Sequence, residues 1–169
     1  DWGPQALQLM MSSVDCNGAN LGIAKDTGVT DLKGLKGKRI AYSFDLGYMQ
    51  VVRHCNQYCR FCSNPSSGYM LDLETAKLQI DDFVARGYFG IILTGGEPSL
   101  SDLIPEISRY AVANGLHVRM ITNGSRITPA LARELFQAGM VEISVSVDYV
   151  DPARHDAHRG CPGAHRQAL

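Results

Sequence analysis

The sequence lacks the features that mark several large classes of protein. Its 16 Lys and Arg residues are balanced by 17 Asp and Glu residues, so it has no excess of positive charge of the kind that binds nucleic acid. It also has no run of about 18 apolar residues, the length that a membrane-spanning helix needs. We therefore predict neither a nucleic-acid partner nor a membrane partner.

Cysteine is scarce and unevenly placed. The chain has five cysteines, an odd number, and two of them, Cys16 and Cys161, stand apart from the other three. A secreted domain held by disulfides usually shows cysteines in even numbers at regular spacings. The composition therefore favours a reducing compartment, and we predict a cytoplasmic location.

Strand and helix patterns alternate along most of the chain. Segment 71–87 has apolar residues at helical spacing and begins with a candidate N-cap, Asp72. Thr128 and Pro129 are typical of the start of another helix, and 101–115 carries a further apolar helical face. The strands are predicted at 48–52, 88–94, 116–122 and 141–147.

This alternation predicts an α/β fold. Parallel strands joined by helices form right-handed crossovers, and an uninterrupted apolar run such as 88–94 suits a strand covered on both faces. In such a sheet the turns that follow the strands converge at one edge, where ligands bind. We expect the segments 55–62, 95–98 and 122–124 and Asp148 to be neighbours at that edge.

The three clustered cysteines are Cys55, Cys59 and Cys62, in the pattern C-x3-C-x2-C. A short loop with this spacing can turn three thiolates toward one centre, as an iron–sulfur cluster requires. A [4Fe–4S] cluster takes four ligands, so one iron stays open to another molecule. Structural zinc is an alternative, with His54 or a distant cysteine as fourth ligand, and three unrelated thiols are another. His54 is a poor ligand because adjacent side chains in an extended segment point apart.

The cysteine loop and the turns after it resemble, in the same order, the motifs of radical S-adenosylmethionine (SAM) enzymes. That family has an aromatic residue before its third cysteine, here Phe61, and its loop follows the first barrel strand, here 48–52. The resemblance covers about 47–169. The later turns match the family at Thr94, Gly95, Gly96, Glu97 and Pro98, at Thr122, Asn123 and Gly124, and at Ser146, Asp148, Arg159 and Gly160.

The resemblance implies how the two cofactors would be held. Each of the three cysteines would bind one iron of a [4Fe–4S] cluster, leaving the fourth iron for the amino and carboxylate groups of SAM. Gly95 and Gly96 would let the backbone approach SAM, since neither has a Cβ. Glu97 or the adjacent carbonyls would accept a hydrogen bond from its ammonium group. The alternative for Glu97 is a cap on the helix that follows.

The resemblance also implies residues that contact the rest of SAM. Phe61 would lie beside the adenine. Ser146, on the inner face of the barrel, would hydrogen-bond the ribose or carboxylate region. Ser144 shares that face because strand side chains alternate with a period of two, so it is the second candidate. For both serines, packing within the strand is the alternative.

By the same resemblance, the function is that of a radical SAM enzyme. It would cleave SAM reductively to a 5′-deoxyadenosyl radical that abstracts hydrogen from a substrate. Its partners would be SAM, an electron donor and an unknown substrate, a peptide or a small-molecule precursor, since the likeness favours the peptide-modification and cofactor-maturation branch. The competing hypothesis is a non-catalytic binding module with a structural zinc in the cysteine loop.

The resemblance also bears on domain organisation. We predict a partial (β/α) barrel over 47–169, truncated after about four βα units, with a short N-terminal extension over 1–46. The family's fifth and sixth strands complete the SAM site, so this segment alone is expected to lack part of the active site. The extension resembles a segment of TRAP-associated periplasmic solute-binding proteins; the alternative is a simple N-terminal extension with a basic turn.

Overall fold

The computed structural model describes residues 46–64 and 66–169. The predicted extension therefore lies outside the described residues, except for Leu46. The strands are β1 Leu46–Val52, β2 Gly90–Gly95, β3 His117–Thr122 and β4 Glu142–Val145. The helices are α1 Leu73–Ala85, α2 Ile104–Ala113, α3 Pro129–Gln137, α4 Pro152–Arg159 and α5 Ala164–Ala168, and a 3-10 helix, Pro98–Leu100, follows β2.

The four strands form one parallel sheet in the order β1-β2-β3-β4. Tyr48 lies opposite Ile92, Ile92 opposite Arg119, and Arg119 opposite Glu142. The carboxyl ends of all four strands therefore come to the same edge of the sheet. The predicted α/β class with parallel strands is confirmed, and within the described residues the sheet is open, with β1 and β4 at its edges.

Capping residues explain where the helices begin. Asp72 Oδ1 accepts a hydrogen bond from the Thr75 N–H at 2.9 Å, and Thr128 Oγ1 accepts one from the Leu131 N–H at 3.2 Å, as the sequence predicts. α2 carries Pro105 in its first turn, where a missing N–H breaks no intrahelical bond. Each of these helices therefore starts within two residues of a recognisable sequence signal.

Two elements after β3 differ from the prediction. β4 ends at Val145, two residues early, because its partner strand ends at Thr122, which pairs with Val145. The polar segment that follows forms α4, which apolar periodicity does not predict. Asp151 caps α4 by accepting from the Arg154 N–H at 2.8 Å, and Gly160 ends it in the left-handed conformation with φ of 59°.

The hydrophobic core lies between the sheet and the helices packed on it. Its fully buried members include Met49, Val51, Ile80, Ile91, Leu93, Ile107, Val118, Met120 and Leu135. Three consecutive residues of β2, Ile91, Ile92 and Leu93, are all buried, as expected for a strand covered on both faces. Among the described residues, no helix has both the length and the apolar character that crossing a bilayer requires.

Candidate functional site

The cysteine loop, residues 53–64, leaves the end of β1 and lies against the turn that ends β2. Two backbone hydrogen bonds join them. The Gly96 N–H donates to the Val52 carbonyl at 2.7 Å, and the Glu97 N–H donates to the His54 carbonyl at 2.9 Å. The first two predicted turn segments are therefore neighbours at the carboxyl edge of the sheet.

Gly95 and Gly96 permit this close approach. A Cβ on Gly96 would overlap the carbonyl oxygen of His54, and a Cβ on Gly95 would overlap that of Val52. Gly95 also has a φ of 138°, which residues with a side chain rarely adopt. The close packing of this turn on the Val52 and His54 carbonyls therefore requires glycine at both positions, whether or not a ligand binds there.

Glu97 is completely buried, and its carboxylate is engaged by four protein donors. Oε1 accepts from the Ser99 N–H at 3.1 Å, the Ser99 hydroxyl at 2.6 Å and the Thr122 hydroxyl at 2.5 Å. Oε2 accepts from the Asn123 N–H at 2.6 Å. Glu97 is therefore the cap of the 3-10 helix that begins at Pro98, and the same carboxylate ties the second turn to the third.

Asn123 extends this connection to the cysteine loop. Its Nδ2 donates to Asn56 Oδ1 at 2.8 Å and lies 3.9 Å from Cys55 Sγ. Asn56 Nδ2 donates to Ser125 Oγ at 2.8 Å, and the Ser125 N–H donates to Asn123 Oδ1 at 2.9 Å. The turn after β3 is thus held by hydrogen bonds to Asn56, the residue that follows Cys55.

The three cysteines differ in exposure along the loop. Cys55 and Cys59 are half-buried and Cys62 is exposed. Burial raises the pKa of the Cys55 thiol, the negative charges of a nearby glutamate and the other two thiols add to the rise, and the Gln57 N–H, 3.4 Å from the sulfur, opposes it. The Asn64 N–H donates to Cys62 Sγ at 3.4 Å. Two of the three sulfurs therefore receive backbone N–H groups, which also tune thiolates in iron–sulfur sites.

The grouping of side chains that can bind metal bears on which metal group the loop suits. Across the part of the chain that the structure describes, no three His, Cys, Asp or Glu side chains are grouped so that they could hold a metal ion. Each thiolate of a [4Fe–4S] cluster binds a different iron, so its ligands lie farther apart than those of one ion.

Buried polar atoms without hydrogen-bond partners concentrate at the cysteine loop. Of six such side-chain atoms among the described residues, four belong to the loop: Arg53 Nε, both amide atoms of Gln57, and Asn64 Nδ2. Gln57 is only 6% exposed. Buried polar groups are normally paired, because each unpaired group costs free energy. This concentration, beside three thiolates, fits a loop whose polar groups are completed by a bound cofactor.

The family matches after β4, Ser146, Asp148 and Arg159, contact one another next to the cysteine loop. Arg159 Nε lies 2.6 Å from Asp148 Oδ2, an ion pair without hydrogen-bond geometry. Arg159 Nη2 donates to the Ser146 carbonyl at 3.3 Å, and Nη1 lies 4.0 Å from Cys59 Sγ. The Ser146 N–H donates to the Thr122 carbonyl at 2.9 Å. The guanidinium therefore joins the residues after β4 to the second cysteine, and a backbone hydrogen bond joins Ser146 to the end of β3.

Phe61 lies at the outer side of the loop and is 53% exposed. Its ring stacks on His158 of α4, with centroids 4.2 Å apart and an interplanar angle of 20°. Together with Arg60, Tyr149 and Arg154 these two rings line an open cavity of about 390 Å³. The predicted position beside an adenine stays a prediction, and the ring has an exposed surface available for such a contact.

Ser144 is the predicted residue that the structure sets apart from this group. Its hydroxyl donates to Glu142 Oε1 at 3.0 Å, on the same strand, rather than to a turn residue. In contrast, Asn56 and Gln57 make contacts beside the first cysteine, although the motifs in the sequence do not single them out. Their signal was available, since both are polar residues placed between two candidate ligands.

Comparisons with known proteins agree with this geometry. The sequence model of the Radical SAM superfamily matches residues 49–168. The AdoMet-dependent heme synthase of Nitratidesulfovibrio vulgaris is 38% identical over 125 residues, which cover 71% of this chain and 34% of that protein. The mycofactocin maturase MftC of Mycolicibacterium smegmatis is 34% identical over 115 residues, which cover 66% of this chain and 29% of that protein. The chain thus spans about a third of the length of these relatives.

A solved structure shares the fold. Streptococcus suis SuiB, bound to its precursor peptide SuiA, superposes with a TM-score of 0.62 and 14% identity, over 85% of this chain and 37% of that one. At this identity the likeness shows the fold alone. It confirms the parallel arrangement of strands and helices as part of a larger α/β architecture.

Proposed function

The chain belongs to the Radical SAM superfamily, and from that premise we propose that residues 46–169 are the cluster- and SAM-binding core of a radical SAM enzyme. The observation that carries the proposal is the cysteine loop itself. Three thiolates and four unpartnered buried polar atoms occupy one loop at the carboxyl edge of a parallel sheet. Ligands of parallel α/β proteins bind at that edge.

The residues present fit a three-cysteine [4Fe–4S] site. Cys55, Cys59 and Cys62 would hold the cluster, and the backbone N–H groups of Gln57 and Asn64 would donate to the first and third thiolates. When bound, the cluster and SAM supply one-electron reductive cleavage to methionine and a 5′-deoxyadenosyl radical, which abstracts hydrogen from a substrate.

The chain's own residues shape the remainder of the site. The Glu97 carboxylate already accepts hydrogen bonds from four protein donors, so its role is to hold the turns after β2 and β3 in place. The carbonyls next to Gly95 and Gly96 are then the better acceptors for an ammonium group. Phe61 supplies an apolar surface for a purine ring, and Ser146 and Asp148 lie where β4 ends.

We propose a peptide or a small cofactor precursor as the substrate class. Two relatives support it: one is named a heme synthase and the other a mycofactocin maturase, and SuiB of the same fold was solved with a precursor peptide. An electron donor is a further partner, because the cluster must be reduced before each cleavage. A cytoplasmic location suits a cluster and thiols that oxygen destroys.

The test is metal analysis of the chain purified and reconstituted without oxygen. We expect about four iron and four sulfide per chain, and loss of most of both in Cys59→Ser. Cys161→Ser is the matched control, since Cys161 lies between α4 and α5, outside the loop, and should leave the metal content unchanged. One tightly bound zinc without sulfide would refute the proposal and establish the zinc module instead.

A further inference from the structure

Arg159 is a charged side chain from another element that contacts a sulfur of the cysteine loop. It is the last residue of α4, and its side chain is 11% exposed. Its guanidinium reaches Asp148, the Ser146 carbonyl and the Cys59 sulfur, the last at 4.0 Å. Burying an arginine to this extent is costly unless its donors are used, so these contacts define where the charge sits.

The end of α4 is fixed to the loop independently of this side chain. The Tyr58 N–H, one residue before Cys59, donates to the Arg159 carbonyl at 3.0 Å. The next residue, Gly160, has a φ of 59°, and a Cβ there would overlap the Tyr58 carbonyl oxygen. Backbone contacts therefore hold the end of α4 against the residue before the second cysteine, and Asp148 and the Ser146 carbonyl orient the guanidinium toward the sulfur.

The anchor of the guanidinium is itself supported. His155, which is 1% exposed, accepts the Asp148 N–H at its Nδ1, 3.2 Å away. Asp148 then faces Arg159 through its carboxylate. The other arginine of α4, Arg154, is arranged differently: it lies over the Tyr149 ring at 4.7 Å and is exposed to solvent.

We propose that Arg159 is a positioning residue of the cluster site, which donates to the Cys59 thiolate and raises the reduction potential of the iron–sulfur cluster bound there. The inference rests on the proposed function, because it assumes that the loop holds a cluster. Hydrogen bonds to the sulfurs and net local charge are two of the factors that set the potential of such clusters. A buried positive charge beside one thiolate favours the reduced cluster, which carries one more negative charge.

The experiment compares three variants of the reconstituted chain by redox titration monitored by electron paramagnetic resonance. Arg159→Gln removes the charge and most of the donors. Arg159→Lys keeps the charge but lacks the planar fork that reaches Asp148, Ser146 and Cys59 together. Arg154→Gln is the matched control, because it makes the same change of charge on the same helix, at a side chain that lies over the Tyr149 ring and not against a sulfur. Iron and sulfide content are measured on every sample.

We expect a cluster in wild type and a lower midpoint potential in Arg159→Gln, with the reduced-to-oxidised ratio at a fixed potential falling about tenfold, which is 59 mV for one electron. Arg159→Lys should fall between the two, and Arg154→Gln should match wild type. If Arg159→Gln loses its cluster, the test rests on Arg159→Lys. A midpoint potential of Arg159→Lys below that of wild type then supports the inference.

Three results would overturn the inference. The first is an unchanged midpoint potential in Arg159→Gln with full iron content, and the second is an unchanged potential in Arg159→Lys when Arg159→Gln holds no cluster. The third is a shift in Arg154→Gln equal to that in Arg159→Gln. A wild-type chain without iron and sulfide would instead refute the proposed function. The two failures are therefore distinguished by the wild-type metal content alone.

Discussion

The turns after β2 and β3 lie at the same edge of the sheet as the cysteine loop after β1, but the two regions satisfy their polar groups differently. In the first region Glu97, Ser99, Thr122 and Asn123 are all at most 7% exposed, and their hydrogen bonds close on one another. In the cysteine loop the Gln57 amide is equally buried, yet both its polar atoms lack partners.

This difference distinguishes a scaffold, the turns after β2 and β3, from a site, the cysteine loop. The paired region is complete in the protein alone, so it can hold its shape before any ligand binds. In the cysteine loop the unpaired polar groups, which a cofactor would engage, cost folding free energy. Such a cost is typical of functional positions. The two regions are coupled by backbone bonds at Gly96 and Glu97 and by the Asn56–Asn123 contact. Four predictions test this division, in order of decreasing effect.

The largest effect is expected at the centre of the paired region. Glu97→Ala removes a buried acceptor and leaves donors on Ser99, Thr122 and Asn123 unpaired, so the free energy of unfolding should fall by about 3 kcal/mol or more. Urea unfolding measures it. Glu106→Ala, an exposed carboxylate in the first turn of α2, is the control and should change stability by about 0.5 kcal/mol or less. Equal effects of the two variants would show that the hydrogen bonds of the Glu97 carboxylate do not stabilise the paired region.

The next effect is expected where the two regions meet. Gly96→Ala places a Cβ on the carbonyl of His54, so we expect a loss of about 1–3 kcal/mol and a lower iron content after reconstitution. Gly115→Ala is the control: its φ of 85° is strained for alanine, but its Cβ would meet open space. That variant should lose stability without losing iron. Full iron content in Gly96→Ala would show that the junction does not position the loop.

A smaller effect is expected from the side-chain contact between the regions. Asn56 and Asn123 share a 2.8 Å hydrogen bond, so a double-mutant cycle with alanine should give a coupling free energy of about 0.5–1.5 kcal/mol. Denaturant unfolding of the two single variants and the double variant supplies the cycle. Effects that add within about 0.3 kcal/mol would mean that the contact does not tie the loop to the scaffold.

The smallest effect concerns pH and the support behind the loop. Burial, with the positive charges of Arg159 and His165, holds the pKa of His155 below its usual value, against the opposing effect of Asp148 and Asp156. The unfolded chain therefore binds more protons than the folded chain as the pH falls below about 6.5. The stability that neutral His155 provides is present above that pH and is lost as the pH falls through the folded pKa.

His155→Asn tests this, because the asparagine oxygen can still accept the Asp148 N–H but does not titrate. The free energy of unfolding should decline more steeply between pH 7 and pH 5 in wild type than in the variant. Equal slopes, measured by denaturant unfolding at each pH, would exclude His155 as the source of the decline.

The fold could be predicted to a large extent because its signals are local. The apolar run of β2 and the caps Asp72 and Thr128 each lie within one element, and each has the structure that the pattern indicates. α4 was missed because its buried face consists of a histidine, so apolar periodicity is absent. The pair Asp151–Pro152 repeats the signal of Thr128–Pro129 and would have located it.

The contacts within the site were less predictable because they depend on long separations. The carboxylate of Glu97 could be assigned either to a ligand or to a helix cap, and only the position of Thr122, 25 residues away, shows that protein donors engage it. The burial of the Gln57 amide cannot be inferred from its polarity, since polar loop residues are usually exposed. The roles of Phe61, Ser146 and Asp148 toward SAM remain predictions.

The contact of Arg159 with the second cysteine spans 100 residues of sequence and has a consequence for biosynthesis. During translation the cysteines leave the ribosome long before α4 is made. Iron delivered in that interval would meet a loop without its guanidinium and without the backbone bond at Tyr58. Because residues are added at about 5–20 per second, the interval lasts several seconds, so stable loading of the proposed cluster is expected only after α4 has been synthesised.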